Sequence, residues 1–434
     1  MKNLLRLLII LGLSAQLQAA DSSYEQLLRR VAPEGEVAVP VPAPSVPRAV
    51  LPAIDDNARY WVTAYAADKY ERTALLEAGL DIVEIGNGKV SGLAHARTVR
   101  DLSSRKSVTL ESAVSLEQYQ AAMRGYTKDF PAADAAYHNY RETTDLLKDM
   151  AARNSDIASV FSIGKTTEGR DIWCLRINST AKGTAASSKP GAFYLGNLHA
   201  REHLANEVPL LFAAYLLDHK NDADIKKYIA SLDIFIVPMG NPDGVEFDIS
   251  TGRYQMFRKN MRTNSDGSKG VDLNRNFDSW WCQEGASHSE WSDTYCGPSA
   301  FSEPESQAIK RFFEARPNIK THITYHSYGG QVLYPWGGSE DEVPDTRDRA
   351  VFVKAAQAMA SYTGYRPEKS SDMYVATGDS ADWAYAATKA FAFTFELEGR
   401  GFYPGAAIIT TAVEKNIRAA VYLLSITDNP YKII

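Results

Sequence analysis

The chain has 434 residues, of which 45% are hydrophobic and 23% charged, and this usage is typical of a globular protein and excludes a fibrous or wholly disordered chain. Asp and Glu total 53 against 47 for Lys and Arg, and the formal net charge of -6 argues against nucleic acid as a partner, which normally requires a basic excess. This length predicts two or three folded units, and three cysteines are too few to build the fold from disulfides.

The first twenty residues have the organisation of a secretory signal peptide. Lys2 and Arg6 precede an apolar run over 7–13, and small residues follow at Ala19 and Ala20. The run is too short to cross a bilayer, and no later segment reaches the roughly 20 apolar residues of a transmembrane helix. We therefore predict a secreted protein without a transmembrane segment. The competing interpretation is an amphipathic first helix of a cytosolic protein.

The residues after this leader divide into three segments of different composition. Residues 21–54 are rich in proline, alanine and valine, which is typical of an extended linker. Residues 55–115 predict a small α+β domain. Its predicted elements are a strand over 60–66, a helix over 68–78, a strand over 80–85 and, after a turn at 87–88, a strand over 90–94. Residues 116–134 are polar and predict a connector, with basic sites at Arg124 and Lys128.

From residue 135 to 434, predicted strands alternate with long amphipathic helices. The strands are predicted at 160–163, 172–177, 192–197, 232–238, 320–325 and 391–397, and the helices at 138–153, 204–219, 303–315, 347–363 and 410–426. This alternation predicts an α/β fold with a mixed, mainly parallel sheet and helices on both faces. Ligands of such sheets bind at the carboxyl ends of the strands.

Three residues near the ends of predicted strands have the pattern of metal ligands. His199 and Glu202 stand at positions i and i+3 after one strand, and His326 closes another. Two histidines and one glutamate, with a fourth position left for water, are typical of catalytic zinc sites. The same run also fits the inverted HxxEH motif, with His203 as second ligand and Glu202 as base. That motif requires a continuous helix, whereas His199 follows a strand, so we favour a helix-face position for His203.

Further charged residues suit an anionic substrate and proton transfer. The guanidinium groups of Arg258 and Arg275, with the amide of Asn274, could hold a carboxylate, although either arginine alone could belong to a surface ion pair. The apolar run 391–395 leads directly into Glu396. A carboxylate in a buried strand is costly unless it has a partner or a function. Beside a zinc-bound water it would be a general base.

The cysteines predict one disulfide and one free thiol. Export permits disulfide formation, and Cys282 and Cys296 are the obvious pair. Closing a loop of this length would stabilise the fold by roughly 3 kcal/mol. Cys174 lies in an apolar stretch, which indicates a buried free thiol.

Taken together, the motifs resemble those of the zinc metallocarboxypeptidases of the pancreatic carboxypeptidase A and B family, including bacterial members like carboxypeptidase T. The likeness covers about residues 135–430, and its motifs stand in the order of the family. They are GKTTEGR at 164–170, HARE at 199–202, NPDG at 241–244, GVDLNRN at 270–276, HSY at 326–328 and FTFEL at 393–397.

The resemblance implies a catalytic centre with one zinc ion per chain. His199, Glu202 and His326 would bind the zinc. Arg258 would stabilise the oxyanion of the tetrahedral intermediate, and Glu396 would take a proton from the attacking water and deliver it to the departing amine. Fixed positive charge and a positioned base are the groups that this chemistry requires.

The resemblance also implies how a substrate is held. Asn274, Arg275 and Tyr374 would grip the free C-terminal carboxylate of a peptide. Ala381 takes the place that is acidic in members cutting after basic residues and large and aliphatic in members preferring apolar ones. Asp379 could bring a negative charge to the pocket. We therefore predict mixed specificity for apolar and basic C-terminal residues.

Many members of this family carry an N-terminal propeptide that packs over the active-site cleft. We predict that residues from about 20 to 130 form such a segment and that an activating protease removes it near Arg124 or Lys128. A permanent adhesion or wall-binding module is the alternative for this segment.

The function that the sequence predicts is a secreted, zinc-dependent exopeptidase acting on peptide C-termini and made as a zymogen. Two alternatives use the same scaffold. One is a zinc amidase acting on cell-wall peptides or acylated amino acids, although the complete carboxylate grip favours ordinary peptides. The other is an inactive binding protein, which would usually lack a ligand or the base, and here both are present.

Overall fold

Two β-sheets, one of four strands and one of eight, form the framework of the part of the chain that the structure describes. The computed structural model describes residues 24, 54–56, 58–116, 118, 119, 130, 134–250 and 254–434. The predicted signal peptide over 1–20, most of the predicted linker over 21–54, and the predicted cleavage sites Arg124 and Lys128 lie outside the described residues. No helix within the described ranges is long and apolar enough to cross a membrane.

The small sheet is antiparallel and has the strand order β2-β3-β1-β4. Its elements are β1 (Arg59–Tyr65), α1 (Lys69–Glu77), β2 (Asp81–Gly86), β3 (Lys89–His95), α2 (Ala96–Ser104) and β4 (Leu110–Ser115). The side chain of Asp68 accepts a hydrogen bond from the N–H of Glu71 and starts α1. Asn87 and Gly88 have positive φ at the turn between β2 and β3. The three predicted strands and the predicted helix are confirmed. The prediction lacks α2, because β3 runs into that helix without a turn signal, and it also lacks β4.

The large sheet is mixed and has the strand order β11-β10-β12-β9-β7-β8-β6-β5. Its strands are β5 (Ala158–Lys165), β6 (Asp171–Ile177), β7 (Gly191–Gly196), β8 (Asp233–Val237), β9 (Ile319–Ser327), β10 (Gln331–Tyr334), β11 (Arg366–Lys369) and β12 (Phe391–Leu397). The four central strands β12, β9, β7 and β8 are parallel to one another. This confirms the predicted mixed, mainly parallel sheet. The short strands β10 and β11 are absent from the prediction, because four residues are too few to show a periodic pattern.

Helices cover both faces of the large sheet. They are α3 (Tyr140–Arg153), α4 (Leu204–Asp218), α5 (Ala223–Ser231), α6 (Pro242–Ile249), α7 (Pro304–Glu314), α8 (Thr346–Thr363), α9 (Ser370–Met373), α10 (Ser380–Thr388) and α11 (Ile408–Thr427). Along β7, Ala192 and Tyr194 pack with residues of α4, α8 and α11, whereas Phe193 and Leu195 pack with residues of α7 and α10. Successive side chains of a strand point to opposite faces, so the sheet has a buried core on each side.

The carboxyl ends of the central strands carry the residues that the sequence singles out. β7 ends at Gly196, where a Cβ would lie 2.0 Å from the carbonyl oxygen of Ala205, so only glycine lets the strand pack against the start of α4. His199 follows three residues later. His326 on β9 and Glu396 on β12 are direct neighbours in the parallel register. The site therefore lies at the edge of the sheet where such folds bind ligands.

Candidate active site

The side chains of His199, Glu202 and His326 meet at one buried point. Nδ1 of His199 lies 2.8 Å from Oε1 of Glu202 and 3.1 Å from Nδ1 of His326, and Nδ1 of His326 lies 2.9 Å from Oε2 of Glu202. Asn197, which has a positive φ, shapes the turn that carries the first two residues. Its side-chain N–H groups donate to the carbonyl oxygens of His199 and Glu202.

This set of donor atoms fits zinc. Two imidazole nitrogens and a carboxylate are ligand types that zinc takes, and three protein ligands leave a position for water. Burial raises the pKa of Glu202, but the charges of the two neighbouring histidines outweigh burial and hold its pKa below the usual value. The carboxylate is therefore ionised, as a metal ligand must be.

Asp272 contacts the candidate zinc ligand His199 and also Arg258. Its Oδ1 lies 3.1 Å from Nε2 of His199, and its Oδ2 accepts a hydrogen bond of 2.9 Å from Nε of Arg258. Burial raises the pKa of Asp272, yet the charges of Arg258 and His199 hold it well below the usual value. A carboxylate behind a ligating histidine fixes the orientation of the ring. The sequence contains Asp272 within the motif 270–276, but the prediction did not assign it a role.

Glu396 lies beside this cluster in a cavity of about 510 Å³. The predicted residues that line the cavity are His199, Glu202, Arg258, Asn274, Arg275, Tyr374 and Glu396. Burial raises the pKa of Glu396 to about 7, with the charge of His326 opposing burial and that of Glu202 adding to it. A carboxyl group with this pKa can accept and release a proton near neutral pH.

Asn274 and Arg275 are held at the cavity wall by backbone groups. The N–H of Ser380 donates to Oδ1 of Asn274 at 3.0 Å, and Nε of Arg275 donates to the carbonyl oxygen of Gly285 at 2.9 Å. Nη1 of Arg275 donates to the carbonyl oxygen of Asn274. Nδ2 of Asn274 and Nη2 of Arg275 make no hydrogen bond to the residues that the structure describes. Two fixed side chains with spare N–H groups can bind a carboxylate.

The small sheet contributes one wall of the same cavity. Residues 82–85 of β2 line it, and Asp81, at the start of that strand, forms ion pairs with Arg201 and Arg258. Nη1 of Arg258 lies 3.4 Å from Oδ1 of Asp81, and all three charged side chains are buried. The sequence does not predict this contact. Arg201 lies within the motif 199–203, but no local pattern distinguishes Asp81.

Helix α1 of the small sheet also holds the segment that carries Tyr374. Nε of Arg72 donates to the carbonyl oxygen of Met373 at 2.7 Å, and Oγ1 of Thr73 accepts from the N–H of Val375 at 3.1 Å. Between these two bonds, Tyr374 packs against the hydrophobic core of the small sheet.

Comparison with known proteins identifies the family. A model of the zinc carboxypeptidases matches residues 143–419. The chain belongs to the zinc carboxypeptidase family. It is 32% identical over 321 residues to a zinc carboxypeptidase of Saccharothrix mutabilis subsp. capreolus, covering 71% of this chain and 73% of that protein. Human carboxypeptidase A1 is 35% identical over 308 residues, covering 68% and 72%.

Solved structures have the same fold. Carboxypeptidase A from Helicoverpa armigera superposes with a TM-score of 0.68 at 25% identity, covering 86% of this chain and 98% of that one. The thrombin-activatable fibrinolysis inhibitor superposes with a TM-score of 0.66 at 24% identity, covering 86% and 100%. The protein is thus a zinc-dependent exopeptidase of peptide C-termini, and the amidase alternative is not favoured.

Asp379 and Ala381 of this carboxypeptidase lie at the start of α10 and are not among the residues lining the cavity. Oδ1 of Asp379 accepts hydrogen bonds from the N–H groups of Ala381 and Asp382. Its Oδ2 is buried and receives no hydrogen bond from a backbone amide, hydroxyl or cationic group within the described residues. Burial raises the pKa of both Asp379 and Asp382. Ala381 packs with Trp383 in the hydrophobic core.

The remaining residues that the sequence singles out lie outside the candidate zinc cluster. Nε2 of His203 lies 2.9 Å from Oδ2 of Asp248, and His203 is outside the metal cluster, so the inverted HxxEH interpretation is not supported. Cys282 and Cys296 form the predicted disulfide, with a Cα–Cα distance of 5.9 Å. Cys174 is the predicted buried free thiol.

Proposed function

We propose that this carboxypeptidase uses His199, Glu202 and His326 to hold one zinc ion per chain and uses Glu396 as its general base. The observation that carries the proposal is the convergence of the three candidate ligands on one buried point, beside a cavity lined by Glu396 and Arg258. Zinc, when bound, supplies a Lewis acid that polarises the carbonyl group and lowers the pKa of a water molecule.

The residues of the chain then perform the remaining steps. Glu396 accepts a proton as water attacks the scissile carbonyl carbon, and Arg258 stabilises the negative charge that develops on the carbonyl oxygen. When the C–N bond breaks, Glu396 returns the proton to the departing amine. Asp272 holds Arg258 and the ring of His199 in place for these steps.

The same proposal assigns the carboxylate grip to Asn274, Arg275 and Tyr374. It is supported by the spare N–H groups of the first two residues, which face a cavity that also contains the candidate base. A synthetic peptide that ends in phenylalanine tests this assignment together with the reaction. Mass spectrometry should show loss of the last residue, whereas the same peptide with a C-terminal amide should remain intact. Equal cleavage of both peptides, or internal cleavage, would refute the proposal.

We propose a mixed preference for apolar and basic C-terminal residues. Support comes from the small side chain of Ala381 and from the carboxyl group of Asp379, which lies beside that of Asp382 at the start of α10. Neither residue lines the cavity, so a basic side chain must extend beyond it. Rates on hippuryl-Phe, hippuryl-Arg and hippuryl-Lys test the proposal. A preference above about 100-fold for one class, roughly 3 kcal/mol, would refute it.

We also propose that the protein is secreted as a zymogen. In this division of the chain, a signal peptide over 1–20 and a linker over 21–54 precede an inhibitory domain over 55–115, a cleavable connector over 116–134 and the catalytic domain over 135–434. The ion pairs of Asp81 support it, and so does the 86% of this chain that superposes on carboxypeptidase A from Helicoverpa armigera, a share larger than the catalytic domain alone could provide.

N-terminal sequencing of the active, secreted enzyme tests the zymogen proposal. The result expected is an N-terminus between 116 and 134, next to Arg124 or Lys128. An active enzyme that still begins near Ser22 would refute removal of the small domain and would favour a permanent module.

A further inference from the structure

Two loops that meet beside the carboxylate grip are joined by the hydrogen bonds of one threonine, most of which its hydroxyl group makes. The first loop begins at Cys282 and is closed by the disulfide to Cys296, and the second runs from Tyr374 to the start of α10. Thr377 lies in the second loop and is buried, with a relative exposure of 1%. The sequence analysis assigns it no role.

The hydroxyl group of Thr377 uses its full hydrogen-bonding capacity within the first loop. Oγ1 donates to the carbonyl oxygen of Glu284 at 2.7 Å and accepts from the N–H groups of Gln283 at 3.1 Å and Glu284 at 3.2 Å. A threonine hydroxyl has one donor and two acceptor sites, so all are occupied. The backbone N–H of Thr377 adds a bond of 3.0 Å to the carbonyl oxygen of Glu284.

Gly285, the residue after Glu284, holds the side chain of Arg275. The carbonyl oxygen of Gly285 accepts the bond from Nε of Arg275. Gly285 has a φ of +62°, and a Cβ there would lie 1.9 Å from the carbonyl oxygen of Val375, so the two loops are in direct backbone contact at this point. A displacement of the first loop would therefore move the group that holds the arginine.

The second loop also holds Arg275 and Asn274 from the other side. A Cβ at Gly378 would lie 2.3 Å from the carbonyl oxygen of Arg275, and the N–H of Ser380 donates to the side chain of Asn274. Asn274 and Arg275 are thus fixed between the two loops that Thr377 joins.

We propose that Thr377 is a positioning residue for the binding of the substrate's terminal carboxylate. It touches no substrate. It acts by fixing Gly285, which in turn fixes the guanidinium group of Arg275. The inference rests on the carboxylate grip of the proposed function, and it adds a residue that determines the strength of that grip and not the rate of the chemical step.

The test compares Thr377→Val, which keeps the shape and removes the hydroxyl, with Thr377→Ser, which keeps the hydroxyl. Thr388→Val is the matched control, since the Thr388 hydroxyl donates to the carbonyl oxygen of Ala384 at the end of α10. Each full-length protein is loaded with zinc and treated with trypsin in the same way. On hippuryl-Phe we expect T377V to raise KM about tenfold with kcat within twofold, and T377S and T388V to stay within twofold of wild type in both.

Binding of 3-phenylpropionate and of its amide separates this inference from the proposed function. T377V should weaken binding of the acid about tenfold, a change of about 1.4 kcal/mol, and leave the affinity for the amide unchanged. Wild-type affinity of T377V for the acid, or an equal loss for acid and amide, would overturn the inference. Failure of the wild-type enzyme to hydrolyse hippuryl-Phe would instead overturn the proposed function, and the binding comparison would still decide the role of Thr377.

Discussion

Replacing Asp81 by asparagine removes the charge that joins the small domain to the active site. Asp81 is 2% exposed and forms ion pairs with Arg201 and Arg258, which lie in the proposed catalytic domain and are also buried. Asparagine has nearly the same shape but cannot neutralise the guanidinium group of Arg201, whereas Arg258 keeps its ion pair with Asp272. The guanidinium group of Arg201 would recover a full solvent shell only when the small domain lifts away from the cavity.

The size of the effect follows from this burial. Removing one partner of a buried ion pair typically costs about 3–5 kcal/mol, and asparagine, which keeps a hydrogen-bond acceptor, belongs at the lower end. This loss of free energy affects only the arrangement in which the small domain covers the cavity. A change of about 3 kcal/mol raises the open fraction roughly 150-fold, because each 1.4 kcal/mol is a factor of ten.

The assay is the initial rate of the uncut, zinc-loaded chain on hippuryl-Phe. We expect D81N to exceed the uncut wild type on the order of 100-fold, or to reach the rate of the trypsin-treated enzyme if that limit comes first. Asp101→Asn is the control, since Asp101 pairs with Arg105 on the exposed surface of α2. After trypsin all three proteins should have the same kcat/KM. If uncut D81N is as inactive as uncut wild type, the ion pairs do not hold the small domain closed and the reasoning fails.

Three other variants test the base, a buried acid and the disulfide. Glu396→Gln should lower kcat on hippuryl-Phe by about 100- to 10,000-fold with little change in KM, because proton transfer is lost while the carboxylate grip remains; a kcat within tenfold of wild type would contradict the role of base. Burial raises the pKa of Glu305 from 4.5 to about 7, so its contribution to stability is fully present below pH 4.5 and is lost as the pH rises through 7. Between pH 5 and pH 8, urea unfolding should show a smaller decrease in the free energy of unfolding for Glu305→Gln than for wild type. Equal decreases would refute this prediction. Replacing Cys282 and Cys296 by serine should lower the free energy of unfolding by about 3 kcal/mol, and an unchanged urea midpoint under oxidising conditions would contradict that estimate.

The central part of the fold could be predicted because its signals are local and long. β7, β9 and β12 are apolar runs that end next to His199, His326 and Glu396, and parallel strands bring their carboxyl ends to one edge. The grouping of the metal-binding candidates follows from that rule. Helices such as α8 and α11 show clear amphipathic periods. By contrast, β10 and β11 are too short for a period to be visible.

The contacts between distant segments could not be predicted. In the sequence, Asp81 is an ordinary residue of the strand predicted over 80–85, and only the tertiary structure brings it to Arg258, 177 positions later. Thr377 is a similar case, because the amide groups that it binds belong to a loop more than ninety residues earlier. The sequence analysis also predicted that Asp379 and Ala381 lie at the substrate pocket; in the structure they lie at the start of α10 and are not among the residues lining the cavity.

The most direct test of the central claim is hydrolysis of hippuryl-Phe and hippuryl-Arg by the purified protein, before and after limited trypsin, with and without 1,10-phenanthroline. We predict release of the terminal residue from both substrates that rises after trypsin and is abolished by the chelator. Equal activity before and after trypsin would contradict the proposed zymogen but not the carboxypeptidase activity. No activity from the trypsin-treated, zinc-loaded protein, or activity that the chelator leaves unchanged, would contradict the assignment of His199, Glu202 and His326 as a catalytic zinc site.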